Sequence, residues 1–203
     1  MTDPISNIYT ESVINKDKQI KKWLEHYTSP VMTPNKHGKM EVKLSTFTID
    51  SNGLVSVNGN FDFFYDKLKK IPVQFLKVTE CFYTSISITS LAGCPKFVGT
   101  FYCYGNKNLT NLIGGPEEVK GRYDCSSCTN LTSLEGAPKF VGGGFYCYKC
   151  NNLPYSELFK IVDIVEGDIF YKDYRTPEDK NAIRHARDIH MNLQHDELGN
   201  LDV

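Results

Sequence analysis

Two consecutive stretches of 22 residues, "LTNLIGGPEEVKGRYDCSSCTN" from Leu109 and "LTSLEGAPKFVGGGFYCYKCNN" from Leu131, are identical at ten positions. A third copy, "ITSLAGCPKFVGTFYCYGNKN", precedes them from Ile88. Self-similarity at such a period restricts a chain more than local propensity does, because each unit buries its apolar side only against its neighbours. Every copy runs L-T-x-L-x-G-x-P, with Ile88 for the first Leu in the third copy, then Val, Gly, an aromatic and Cys. Weaker copies flank these: "VNGNFDF" at 57–63, "LKKIPVQFLKVTEC" at 68–81 and "VEGDIFY" at 165–171.

A stacked solenoid follows, with one short strand per unit pairing in parallel with its neighbours. Alternation along each strand sends successive side chains to opposite faces. Phe101/Cys103, Tyr123/Cys125 and Phe145/Cys147 are the expected inward pairs. Tyr102, Tyr104, Arg122, Asp124, Tyr146 and Tyr148 then point outward, and the weaker copies add Asp62, Phe64, Glu80, Phe82, Phe170 and Lys172. The Gly-x-Pro motifs at 93–95, 114–116 and 136–138 turn the chain on the far side. Too few residues remain there for a helix, so that side is expected to be extended or to hold single 3₁₀ turns.

The pattern resembles the leucine-rich repeat, whose unit is L-x-x-L-x-L-x-x-[N/C]-x-L. In "VGTFYCYGN", Val98, Phe101 and Cys103 match the leucine positions and Asn106 the N/C position, where Cys128 and Cys150 stand in the next two copies. The chain departs from the family by an extra residue before Leu109 and by an extra Lys or Gly after Val119 and Val141. The wording L-T-S-L-x-G-x-P / V-G-G-x-F-x-C is similar to short leucine-rich-repeat proteins of tailed bacteriophages. The resemblance implies an α+β repeat fold, a short solenoid with its parallel sheet on the concave face, and a bacterial host protein as partner, acted on in the host cytoplasm.

Cys125, Cys128, Cys147 and Cys150 also read C-x2-C, eighteen residues, C-x2-C, a spacing that suits zinc. Stacking places Cys125 beside Cys147 and Cys128 beside Cys150 at about 4.8 Å. Tetrahedral Zn–S bonds of about 2.3 Å demand closer convergence. Asn106 moreover replaces the second cysteine one repeat earlier. Small buried hydrophobes are therefore the expected role of these cysteines, with no metal and no cofactor; a zinc-ribbon-like nucleic-acid module is the alternative.

A repeat stack needs covered ends. Val13, Ile20, Trp23, Leu24 and Tyr27 fall at helical spacing, so residues 1–35 are expected as a helical cap. A hairpin turning at Ser51-Asn52-Gly53 is expected within 36–66, leading into the first repeat, with the solenoid over 67–175. Residues 176–203 are expected as a capping helix and tail, the helix starting at Thr176-Pro177 with Ile183, Ala186, Ile189 and Leu193 on its apolar face and the tail beginning after His195. "YSELFK" at 155–160 is expected as one extra turn.

A formal net charge of −1 argues against a dedicated nucleic-acid binder. No apolar run approaches the ~18 residues of a membrane span, and the first residues lack a signal-peptide pattern, so the cytoplasm is the expected compartment. "VGGG" at 141–144 is not followed by the Lys and Ser/Thr of a phosphate loop. Nor is there a spacing that assembles a nucleophile with a base. The outward positions, rich in tyrosine, instead match the residue types of interface centres. A non-enzymatic protein-binding module is therefore expected, with Tyr102, Tyr104, Arg122, Asp124, Tyr146, Tyr148, Phe82 and Phe170 as contact residues. The catalytic alternative is a small-molecule site built in the groove from Asp124, Arg122 and the tyrosines.

Overall fold

The computed structural model describes residues 18–28, 31–34, 40–43 and 45–199, with backbone alone at 31–34, 40–43 and 194–199. Helix α1 covers 18–27. Strands β1 (Val31–Pro34) and β2 (Met40–Lys43) follow, then β3 (Thr46–Ile49), β4 (Leu54–Asn58) and β5 (Phe61–Asp62). The repeats contribute β6 (Gln74–Tyr83), β7 (Phe97–Tyr102), β8 (Glu118–Val119), β9 (Tyr123–Asp124), β10 (Phe140–Val141), β11 (Phe145–Tyr146) and β12 (Ile169–Phe170). A 3₁₀ helix spans Tyr155–Lys160, the expected extra turn, and α2 spans Lys180–Gly199.

The repeats build a parallel-sheet solenoid of about six turns. Its rungs are β5, the end of β6, the end of β7, β9, β11 and β12, each paired in parallel with the next. Phe61, Phe82, Phe101, Tyr123, Phe145 and Ile169 sit at the same register position in these rungs, and all are fully buried. Their rings stack along the axis: Phe82 lies 6.0 Å from Phe101 at 7°, and Tyr123 lies 4.8 Å from Phe145 at 6°. Each such pair adds about 0.5–1.5 kcal/mol beyond its burial. Val78, Val98, Val119 and Val141 form a second buried column, and Leu91, Leu112 and Leu134 a third.

Glycine sets how closely the coils approach. Gly136 has φ +83°, and a Cβ there would stand 2.4 Å from the Ile113 backbone nitrogen of the preceding coil. Its counterparts Gly93 and Gly114 share the positive φ. The Gly-x-Pro signal thus marks both a turn and a contact that admits no side chain.

The cysteines find their explanation in the same stacking. Cys103, Cys125 and Cys147 fill the core position after the aromatic rung, and burial pushes all three thiols well above their ordinary pKa. At the next position, Asn106 Nδ2 donates to the Ser85 carbonyl at 2.9 Å. Cys128 Sγ donates to the Cys103 carbonyl and Cys150 Sγ to the Cys125 carbonyl, each at 3.2 Å. Asparagine and cysteine interchange because either one satisfies a buried carbonyl of the preceding coil.

Several expectations need correction. Within 1–35, Val31–Pro34 is a strand paired antiparallel with Met40–Lys43, not part of a helix; Val13 lies outside the described residues. Helix α2 starts at Lys180, not at Thr176: Glu178 is still bridged to Ile169, and the Asp179 carboxylate accepts the Asn181 N–H at 2.8 Å, making Asp179 the cap. It then continues to Gly199, past His195. Ile183 is buried, but Ile189 and Leu193 of the expected apolar face are 48% and 59% exposed. A helix of 20 residues is about 30 Å long, and its first three turns reach the solenoid through Lys180, Ile183, Arg184, Arg187 and His190. The hairpin appears as expected, with β3 and β4 antiparallel and Asp50 accepting the N–H groups of Asn52 and Leu54. No helix among the described residues is long and apolar enough to cross a membrane.

Candidate interaction face

The side chains that alternate with the buried rungs form the open face of the sheet. At the position after each rung stand Asp62, Tyr83, Tyr102, Asp124, Tyr146 and Phe170, brought side by side by the parallel register. Tyr83 and Tyr102 stack at 4.4 Å and 4°. Tyr146 and Phe170 stack at 4.5 Å and 11°. Between these pairs, where Asp124 has no ring, the Arg122 guanidinium fills the gap: it lies 3.7 Å from the Tyr146 ring centre and 5.8 Å from that of Tyr102. The result is one continuous stack, Tyr83–Tyr102–Arg122–Tyr146–Phe170, running across five coils.

Asp124 holds that guanidinium in place. Its Oδ2 accepts from Arg122 Nη2 at 2.5 Å and its Oδ1 accepts the Ser126 N–H at 2.9 Å. Only 4% of Asp124 is exposed, so the carboxylate anchors Arg122 from below instead of meeting a partner. A second row lies alongside. Phe64 stacks on Tyr104 at 4.8 Å, Tyr104 meets Tyr102 edge to face, and Tyr148 leans on Tyr174 at 5.6 Å. Glu80, Asp62 and Lys172 are exposed.

Of the sequence-predicted contact residues, Tyr102, Tyr104, Arg122, Tyr146, Tyr148 and Phe170 reach the open face together. Phe82 does not: it is fully buried, and Tyr83 takes the outward place assigned to it. Anchoring that copy on Cys81 as the equivalent of Cys103 causes the slip, because Cys81 pairs with Thr100 instead. A register shift between Val78 and Cys81 absorbs one extra residue. The spacing Val78-x3-Phe82 matches Val119-x3-Tyr123 and Val141-x3-Phe145, and that was the signal for the correct alignment. Tyr65, 91% exposed, and Tyr174 were also missed, since both lie beyond the strand signature.

Two phenols of the face, Tyr83 and Tyr102, are held as neutral donors. Burial, then the neighbouring Cys81 thiol and Tyr102, pushes the Tyr83 phenol far up. Burial raises Tyr102 too, against the opposing charge of Arg122. The Cys81 thiol is likewise raised by burial. Flat rings, hydroxyl donors and one anchored guanidinium give a surface suited to contact area and hydrogen bonding. Among the described residues, no group of three or more His, Cys, Asp or Glu is placed to hold a metal ion. No family model, no curated protein and no solved structure matches this chain.

Proposed function

We propose that this chain is a non-enzymatic interaction module of leucine-rich-repeat type, capped by α1 with the β3–β4 hairpin at one end and by α2 at the other. It binds another protein through the aromatic face of its sheet. The observation that carries this reading is the stack Tyr83–Tyr102–Arg122–Tyr146–Phe170, left half-open on a face where a solvated sheet would present short polar side chains. Tyrosine and arginine offer large area with little rotational freedom to lose, and they dominate the centres of protein interfaces. The repeat wording, similar to short phage proteins, directs the choice of partner to a bacterial host protein, a defence factor that this chain would block.

The test is capture from bacterial lysate, with partners identified by mass spectrometry. Tyr146→Ala with Tyr148→Ala removes two face rings and no rung, so the melting temperature is expected to hold. Loss of central interface aromatics commonly costs ~2 kcal/mol or more, so capture should weaken at least ~25-fold. The same double change at Glu117 and Lys139, a far-side ion pair of 2.9 Å, should leave capture intact. A tyrosine variant that folds and captures at full strength removes the face from consideration.

A further inference from the structure

At the first-coil end of the face lies a cavity of about 490 Å³ lined by His26, Tyr27, Asp62, Phe63, Phe64, Tyr65 and Asp66. Asp62 and Asp66 are its carboxylates, Tyr27, Phe64 and Tyr65 supply aromatic walls, and none of the lining residues is lysine or arginine. The repeat register gives this cavity a template within the same molecule. Asp62 pairs with Tyr83, Tyr83 with Tyr102, and Tyr102 with Asp124, so Asp62 and Asp124 hold the same position in their coils. Two residues before Asp124 stands Arg122, which pairs with that carboxylate and lies on the neighbouring Tyr146 ring. Two residues before Asp62 stands Asn60, whose Oδ1 is engaged with the Cys81 N–H at 2.9 Å. The first coil thus repeats the carboxylate and the neighbouring tyrosine of the fourth coil, with an amide in place of the arginine.

We propose that this cavity receives the guanidinium of an arginine side chain from the protein partner, held on Asp62 and flanked by Phe64 and Tyr65. The charge is complementary, and Asp62 holds the coil position at which Asp124 pairs with Arg122, a planar fork between a carboxylate and a ring. Asp66 supports the site without being its main acceptor, because Tyr27 donates to its Oδ2 at 2.5 Å and the Lys67 N–H to its Oδ1 at 2.6 Å. Asp62 spends Oδ1 on the Phe64 N–H at 3.0 Å and is otherwise exposed. The negative field extends over the neighbouring phenols. Burial, the hydrogen bond to Asp66 and the charge of Asp66 push Tyr27 up to about 12, and the charges of Asp124 and Asp62 add to burial and Tyr65 in raising Tyr104. Phe64, stacked on Tyr104, joins the cavity to the aromatic face. The assignment rests on the interaction reading only in taking the guanidinium to come from a protein.

The test is an NMR titration of the full chain with N-acetyl-arginine amide, against the citrulline amide, which has the same outline without the charge, and the lysine amide, which has the charge without the plane. The expected result is saturable shifts at the Phe64, Tyr65 and Asp66 amides with arginine, roughly millimolar in affinity. Citrulline and lysine should need at least ~10-fold more ligand. Asp62→Asn keeps an acceptor for the Phe64 N–H and should abolish saturation, and Tyr65→Ala should weaken it. Equal response to citrulline, equal response to lysine, or an unchanged titration in Asp62→Asn each overturns the assignment. The titration involves no lysate partner. If arginine saturates the cavity while the tyrosine variant captures normally, the face fails as the docking site and the cavity stands; the reverse pair of results has the opposite meaning.

Discussion

At the scale of single residues, the interchange of Asn106, Cys128 and Cys150 decides what the paired cysteines are for. Each side chain donates to a carbonyl of the coil before it. Cys128→Ala leaves the Cys103 carbonyl unpaired in a dry interior, which costs about 1–3 kcal/mol. Cys128→Asn restores a donor of the kind that Asn106 provides, so urea denaturation should show at least half of the lost stability recovered. A metal ligand would behave otherwise, since an amide cannot stand in for a thiolate; asparagine proving no better than alanine would refute the ladder. Other local choices follow the same repeat logic. Ser127 and Lys149 adopt φ of +59° and +57° at the position where Gly105 adopts +73°, so one left-handed residue bends the chain out of each of these three rungs.

At the scale of elements, the 3₁₀ helix Tyr155–Lys160 is tied to the coil before it by one carboxylate. Glu157 Oε2 accepts the Leu134 N–H at 2.6 Å and the Ser133 hydroxyl at 3.0 Å, while Lys160 pairs with it at 2.7 Å. Burial alone would raise its pKa, but the hydrogen bonds from Lys160, Leu134 and Ser133 outweigh burial and hold it below the usual range. A carboxyl depressed in the folded state stabilises above its unfolded pKa, about 4.3, and the contribution is lost as pH falls through the folded value. Glu157→Gln is therefore expected to cost about 1–2 kcal/mol at pH 7. Denaturation repeated near pH 3 should show the gap between variant and parent narrowing; a gap that stays constant would place the contribution elsewhere. Elements were legible wherever the repeat was strong. From Ile88 to Cys150, strand positions and inward residues could be read from L-T-x-L-x-G-x-P and the aromatic-x-Cys pair. Legibility failed where local irregularity outweighed the pattern. The bulge between Val78 and Cys81 moved Phe82 inward and Tyr83 outward, because a single-residue slip exchanges the two faces of a strand. The start of α2 was misplaced because Thr176-Pro177 resembles a cap, whereas the backbone of Glu178 is committed to Ile169. The face itself was read only in part, since nothing in the spacing revealed that Arg122 would complete a line of rings.

At the scale of the whole molecule, every coil of a solenoid offers its outer backbone groups to the next, so something must halt the series. Val141 and Gly143 accept the N–H groups of Glu166 and Gly167 from the following coil. The corresponding carbonyls of the last coil, Val165 and Gly167, meet no further coil but the ammonium of Lys180, at 2.5 and 3.3 Å, and Glu178 N–H takes the Ile169 carbonyl at 2.7 Å. An exposed sheet edge is a template for another chain. A chain ending at Arg175 is therefore expected to form concentration-dependent oligomers by sedimentation velocity, while the full chain keeps its size over the same range; equal behaviour would mean that the edge is harmless without its cover. Lys180 and Glu178 thus stand where the backbone of a further coil would, and the acceptors that the last coil would otherwise turn outward are taken by one ammonium group and one N–H.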